Sequence, residues 1–263
     1  MITLKNNTCS LVSMWKNQTV SVVFSTYNEK NSIKQQIEDC FATGFVDEVL
    51  VVNNNAAKGT TEEVRKTRAK LIYEKKQGYG HGYQTGLCET KTDIIIMSEP
   101  DATFDHKKDI IKLLVYSDEF PVVFGTRTTQ ALIHEGAYMG IFLKWGNVFV
   151  AKIIEVLFKT THLSDVGCTL RLYKKTALKR IRSKFSVGNN YFSPEMIVLT
   201  ALHRIPFVEI PVNFLPRIGE SKGAANFLKA FELGIAMIKL IIWYRIHSLL
   251  HPKSYTKYHE RRY

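Results

Sequence analysis

Residues 19–26 read TVSVVFST, a short β-branched and aromatic run that breaks off into the polar group Tyr27-Asn28-Glu29. Such a run is a strand, and the segments after it decide the fold. EKNSIKQQIEDCFAT (29–43) is polar and helix-like, and DEVLVVNNN (47–55) is a second strand. TTEEVRKTRAK (60–70) is a helix and KLIYEKK (70–76) a third strand. GYGHGYQTGLCET (78–90) reads as a glycine loop opening a helix. DIIIMSEPD (93–101), HKKDIIKLLVYS (106–117) and PVVFGTRTT (121–129) continue the alternation as strand, helix and strand. Alternation on this scale predicts βαβ units in an α/β fold, a mostly parallel central sheet flanked by helices. In such sheets ligands bind beyond the carboxyl ends of the strands.

Those ends carry the polar residues. The first strand runs into Thr26, Tyr27, Asn28 and Glu29, and the second into Asn53, Asn54 and Asn55. The fourth ends on Ser98-Glu99-Pro100-Asp101 and the fifth on Thr126-Arg127. Four polar strand ends on one rim predict a binding site, since packing alone does not demand them. Pro100 pushes Glu99 toward an extended conformation, which aims residues two apart to one side, so Glu99 and Asp101 converge. Two readings stand on these residues alone. One is an ordinary Pro-Asp turn with exposed side chains; the other is a carboxylate pair that needs a cation, for which oxygen ligands suit Mg²⁺ or Mn²⁺.

The 263 residues, 45% of them apolar, suffice for a large core, and a net charge of +12 points to an anionic partner: nucleic acid, anionic lipid or a phosphorylated metabolite. The basic residues are scattered without a nucleic-acid motif, which disfavours the first. Cys9, Cys40, Cys88 and Cys168 form no CxxC pair, so a reducing, cytosolic setting is expected, and the N-terminal residues do not read as a signal peptide. The second half begins with the apolar, helix-like stretch 136–158, broken by Lys144, Asn147, Lys152 and Glu155. The stretch 226–250 reads as an amphipathic helix with Lys229, Glu232, Lys239 and His247 on one side and Phe231, Ile235, Ile238, Ile242 and Leu249 on the other. Its charges argue against a membrane span, leaving an interfacial position, a partner contact, or packing on the domain itself. The basic, aromatic tail HPKSYTKYHERRY has the character of an anionic-lipid contact.

Weaker signals need weighing. A GxGxxG fingerprint fails in GYGHGYQTG, because Tyr83 and Thr85 occupy the positions that need glycine. A backbone approach to a phosphate or sugar and a simple helix start remain equal alternatives there. Arg127, Arg171, Arg217 and Lys222 follow strands and could neutralise a diphosphate, although single basic residues are usually surface charges. PRIGESKG is more specific, gathering Arg217, Ser221 and Lys222 with two glycines in one loop. His81 and His134 have no metal-ligand spacing.

The order of these motifs resembles family 2 glycosyltransferases of the GT-A fold, with the layout of dolichol- and polyprenol-phosphate sugar transferases, over residues 19–223. VSVVFSTYNE resembles the family's opening strand and turn, and DEVLVVNNNAAKGT its second strand and loop. GYGHGYQTGL resembles its glycine-rich loop, and IIIMSEPDATF stands at its DxD-type metal motif. VVFGTR, LSDVGCTLRLYKK and VEIPVNFLPRIGESK match three further segments in order.

The resemblance implies a nucleotide site at Thr26, Tyr27, Asn28, Glu29, Asn53, Asn54, Asn55 and Gly80. It implies a Mg²⁺ or Mn²⁺ site at Asp101, with Glu99 and Thr103. Phosphates of donor or acceptor fall to Arg127, Asp165, Arg171, Arg217, Ser221 and Lys222. Catalysis is expected from Asp101, Glu99 and Arg127, with Glu195 the nearest candidate for a base. The expected activity is an inverting, metal-dependent transfer of a sugar from a nucleotide-sugar to a polyprenyl or dolichyl phosphate, on the cytosolic face of a membrane. The expected layout is an extension at 1–18, the catalytic domain at 19–225, and a helix with basic tail at 226–263 that contacts membrane, a membrane-protein partner or a second copy. Two alternatives differ in chemistry: transfer to a sugar hydroxyl of a cell-surface glycan with Glu195 as base, or a non-catalytic nucleotide- or lipid-binding subunit. Asn53 and Asn54 depart from the aspartates usual in the family, and the metal motif begins with Glu99 where the family has Asp.

Overall fold

Val20, Val22, Val23 and Phe24 of the first strand, β1 (Val20–Thr26), are all buried, so this strand is covered on both faces as the central strand of a parallel sheet must be. The computed structural model describes residues 15–137, 140–219 and 227–255. Around β1 the chain lays down α1 (Ile33–Ala42), β2 (Glu48–Asn53), α2 (Thr60–Arg65), β3 (Lys70–Tyr73), α3 (Tyr79–Glu89), β4 (Ile94–Ser98), α4 (His106–Tyr116) and β5 (Val122–Thr126). Then come α5 (Ile141–Phe158), β6 (Arg171–Lys174), α6 (Lys175–Ile181), α7 (Phe192–Leu202), β7 (Phe207–Pro211) and α8 (Phe227–Leu250).

The seven strands run in the order β3-β2-β1-β4-β6-β5-β7. Every neighbouring pair is parallel except those of β6, which runs antiparallel between β4 and β5. Six carboxyl ends therefore share one rim, and Arg171 at the start of β6 lies on the same side. Period-two alternation divides the apolar residues between two layers. Val22, Phe24 and Ile96 face Ile33, Ile37, Ile110 and Leu113 of α1 and α4, whereas Val23, Val52 and Met97 face the layer that includes Leu87, Ile154, Met196 and Ile241. Gly86 lets α3 lie close on this sheet: a Cβ there would come 2.4 Å from Val23 Cγ1.

The α/β architecture and the order of elements through β5 are as expected. Two helices are not. No helix was expected at α6 or α7, and α7 shows why, since nine of its residues, Phe192–Thr200, are buried. A helix enclosed on all sides has no polar face and hence no 3.6-residue period to read.

The C-terminal helix also differs from expectation. Met237, Ile241 and Tyr244 are the residues α8 buries on the domain. Most of the apolar stripe read from the sequence is exposed, which sets aside its packing on the domain: Phe231 52%, Ile235 38%, Ile242 45% and Leu249 64%. Trp243 and Ile246 are exposed beside it, so apolar residues surround most of the helix and periodicity could not choose the packed side. Nor do its charges shorten it below spanning length: by length and composition Phe231–Leu250 could cross a membrane, and only 17% of it is buried. α5, which packs against α8, exposes Trp145, Phe149 and Val156.

Candidate functional site

At the end of β1 the chain must turn sharply into α1, and Glu29 closes that turn. Its Oε2 accepts from the Thr26 hydroxyl at 3.0 Å, Tyr27 N at 2.7 Å and Asn28 N at 2.8 Å. Tyr27 and Asn28 are left exposed on the rim. The asparagines after β2 are fastened in the same way. Asn53 donates to Thr61 Oγ1 at 2.9 Å and accepts from Ala56 N at 2.8 Å. Asn54, buried, donates to the carbonyls of Glu74 and Lys76 and accepts from Gln77 Nε2 and Gly78 N. Asn55, at φ +58°, donates to Lys75 O. Asn54 and Asn55 stitch the loop after β2 to the segment after β3, and Asn54 has no side-chain hydrogen-bonding capacity left over for a ligand.

Gly80 does not line this rim as expected. A Cβ on it would sit 2.3 Å from the Val187 carbonyl oxygen, so this glycine serves the packing of α3 against the 187–188 loop.

The carboxylate pair lies at the centre of the rim. Asp101 is buried and its Oδ1 accepts from Thr103 N at 3.0 Å and Thr103 Oγ1 at 2.6 Å. Thr103 thus orients Asp101 through its own hydroxyl proton. Ala102 between them is held at φ +67°, a conformation that costs a non-glycine residue about 1–3 kcal/mol and is typical of ligand sites. Asp101 Oδ2 has no hydrogen bond; Arg217 Nη2 stands 2.5 Å away, outside hydrogen-bonding geometry, and donates instead to Glu99 Oε2 at 3.4 Å. Burial, and after it the charge of Asp101, raises the Glu99 carboxyl above its usual range.

Arg217 arrives because the segment after β7 pairs with this loop. Leu215 N donates to Thr103 O at 2.9 Å and Ile218 N to Asp101 O at 3.0 Å. Upstream, Asn213 bonds the buried Asp109 of α4 through both its backbone N and its Nδ2. Ser221 and Lys222 lie outside the described residues.

The loop has a second support that the motifs do not reveal. Ser32 donates to Pro100 O at 2.6 Å, Tyr83 OH donates to Ser98 O at 2.7 Å, and Ser98 Oγ lies 2.8 Å from His106 Nε2. His106 Nδ1 faces Gln36 Oε1 at 2.7 Å, so Nδ1 carries the proton and Nε2 accepts from Ser98. Burial pushes the imidazole down to about 4, which keeps it neutral. Because the folded value lies below that of the unfolded chain, this contribution to stability is present above pH 6.5 and is lost as the pH falls toward 4. The shift corresponds to about 3 kcal/mol. Urea melts of the wild type and His106→Gln are accordingly expected to differ most near neutral pH and to converge by pH 4.5. A constant difference across that range would refute this role.

On the far side of the rim, Arg127 makes a bidentate pair with Asp165, Nε to Oδ2 at 2.8 Å and Nη2 to Oδ1 at 2.9 Å, and adds its backbone N at 3.1 Å. Burial alone would raise the Asp165 carboxyl; the Arg127 guanidinium and the N–H donors outweigh it and hold the carboxyl below its usual range. Glu209 in turn accepts from Ser164 and Asp165 N.

Two expected residues are elsewhere. Arg171 is wholly buried, with its guanidinium on the carbonyls of Cys168, Val166 and Ser193 and over the Phe124 ring at 5.2 Å, so it braces the backbone and has no surface to offer a phosphate. Glu195 is also wholly buried and accepts four hydrogen bonds, from Ser186 N, Ser186 Oγ, Val187 N and Tyr244 OH. A carboxylate so enclosed cannot reach a sugar hydroxyl, which corrects its expected role as a base.

A cation at the pair has a consistent donor set: hard oxygens, one of them buried and without a hydrogen bond. Among the described residues no three His, Cys, Asp or Glu side chains come together, so protein carboxylates alone make at most two ligands. That composition suits Mg²⁺ or Mn²⁺ sharing its shell with phosphate oxygens.

The chain is similar to known proteins in sequence and in fold. The sequence model described as glycosyl transferase family 2 matches residues 21–182. A dolichyl-phosphate hexose transferase of Haloferax volcanii is 26% identical over 224 residues, 85% of this chain and 92% of that protein. The dolichyl-phosphate beta-glucosyltransferase of Homo sapiens is 22% identical over 232 residues, 78% of this chain and 70% of that protein. Among solved structures, glucosyl-3-phosphoglycerate synthase of Mycobacterium tuberculosis superimposes with a TM-score of 0.66 at 13% identity, covering 87% of this chain and 81% of that one. The same enzyme with Mn²⁺, UDP-glucose and phosphoglyceric acid gives 0.65 at 13% identity, over 88% and 80%.

Proposed function

The chain belongs to glycosyl transferase family 2 and is a glycosyltransferase, and from that premise we propose that it transfers a hexose from a nucleotide-sugar to a polyprenyl or dolichyl phosphate with inversion at the anomeric carbon. The observation that carries this reading is the buried Asp101 with the part-exposed Glu99 beside it, both facing Arg217 at the centre of the strand-end rim. Two relatives named as dolichyl-phosphate hexose and glucosyl transferases, one of them matched over 92% of its length, support the acceptor class.

In this reading Asp101 and Glu99 would hold a Mg²⁺ or Mn²⁺ ion, which would supply positive charge beside the diphosphate of the donor. Thr103 fixes the Asp101 carboxylate, and the turn at Thr26 to Glu29 offers Tyr27 and Asn28 to the nucleoside. Arg217 and Arg127, the latter oriented by Asp165, give fixed charge to phosphate oxygens as the sugar develops oxocarbenium character. An acceptor phosphate is already an anion and needs no strong base. The enclosure of Glu195 supports that choice over a sugar hydroxyl acceptor. The exposed apolar faces of α5 and α8 are proposed to meet the lipid surface from which such an acceptor is drawn.

A phase-partition assay tests the acceptor. With labelled nucleotide-sugar and vesicles containing polyprenyl phosphate, the labelled product is expected in the organic phase. Product confined to the aqueous phase and formed only with an oligosaccharide would reverse the assignment.

A further inference from the structure

Each carboxylate oxygen of Asp101 has a distinct position. Oδ1 is occupied by two donors from Thr103, so a cation can only approach through Oδ2. That oxygen is buried, has no hydrogen bond, and stands 2.5 Å from Arg217 Nη2. A divalent cation on Oδ2 would lie about 2.0–2.1 Å from it. A guanidinium on the same oxygen would stand within about 4 Å of that ion, and like charge at such a distance opposes joint occupancy.

We propose that Arg217 is a tethered counter-cation that occupies the carboxylate pair until donor arrives, so that metal binding and diphosphate binding are coupled through its release. This rests on the reading of Glu99 and Asp101 as metal ligands. The ion pairs of Arg217 are with Glu99 and Asp101, and its side chain is one-third exposed, so it can leave toward the rim. Metal alone must displace the guanidinium from both carboxylates and gives it nothing in exchange. Metal with a nucleoside diphosphate gives it phosphate oxygens, which a planar guanidinium binds in bidentate fashion. The carboxylates are never left bare, since one cation replaces the other.

The test is binding, read without turnover: titration of Mn²⁺ by water-proton relaxation, alone and with saturating UDP or GDP, in wild type, Arg217→Gln, Arg217→Lys and Asp101→Asn. Arg217→Gln is expected to bind Mn²⁺ alone about tenfold more tightly than wild type and to gain correspondingly less from the nucleotide, within the range usual for linked sites. Arg217→Lys, which keeps a charge on a flexible stem, should fall between them. Formation of the Mn²⁺–nucleotide complex in free solution does not depend on the variant, so differences among the variants report on the protein. Equal or weaker binding of Mn²⁺ alone by both Arg217 variants, with Asp101→Asn abolishing it, overturns the inference and leaves the metal site standing. Wild-type binding by Asp101→Asn would remove the metal assignment itself and the inference with it.

Discussion

Asp101→Asn is expected to reduce sugar transfer by about a thousandfold or more, the scale of losing a fixed charge-stabilising group at a reacting centre, while the protein stays folded. The two halves of this expectation come from different oxygens. Oδ1 closes the turn through Thr103 N and Oγ1, and an asparagine carbonyl can accept the same two bonds. Oδ2 is the oxygen with no hydrogen bond, and an amide nitrogen in its place can neither ligate a divalent cation nor attract Arg217.

Stability should not suffer from the lost charge. The Glu99 carboxyl is raised by burial and then by Asp101, and a raised carboxyl favours the fold below its unfolded value near 4.5 and loses that contribution as the pH rises through its folded value. Wild type therefore carries a cost at neutral pH, first of burial and second of the Asp101 charge, and the variant relieves the second part, which offsets the ion pair to Arg217 that it gives up. The melting temperature at pH 7–8 is expected within about 3 °C of wild type or above it, a range of roughly 1 kcal/mol for a chain this size. Circular dichroism melts beside donor-turnover assays decide it. Full turnover in a folded Asp101→Asn protein would refute a role in catalysis, and a collapse in stability would make the residue structural.

The first five strands were legible because each is written twice, once as an apolar run and once as the polar break that ends it. The rim followed from that, and Glu99, Asp101 and Arg127 could be named without knowing their neighbours. What side chains do on the rim was less legible, because their partners are main-chain groups. Nothing in NNN tells a ligand-reading amide from one bonded to the carbonyls of Glu74 and Lys76. Arg171 belongs to the same class: as RLYK it reads like a strand-end cation, yet its guanidinium binds carbonyls contributed by three separated residues. His106 gave no signal, since its two partners, Ser98 and Gln36, lie eight and 70 residues away. Arg217 was readable as a motif residue, but its distance of 2.5 Å from Asp101 depends on backbone pairing between the loops after β4 and β7.

Glu195→Ala is expected to cost about 3–5 kcal/mol, the usual penalty for breaking a buried charged network, and to do so without removing a catalytic group. The carboxylate is the meeting point of three pieces of chain. It begins in the first turn of α7, accepts both donors of Ser186 and the backbone N of Val187, and takes the Tyr244 hydroxyl of α8 at 2.6 Å. Alanine would leave these donors buried without an acceptor, each at about 1–3 kcal/mol. The damage should spread toward the rim, because Val187 O accepts from Gln84 of α3 at 2.7 Å and Tyr83 of that helix holds Ser98 O, the carbonyl before Glu99. Glu195→Gln keeps one acceptor oxygen and the shape of the side chain, so it should recover part of the stability. The decisive comparison is turnover per folded molecule. A general base would lose about two to four orders of magnitude in Glu195→Gln even when fully folded. A network residue predicts turnover within a few-fold of wild type once the folded fraction, from denaturant melts, is divided out. Loss of turnover in a protein as stable as wild type would restore Glu195 as the base and move the acceptor from a lipid phosphate to a sugar hydroxyl.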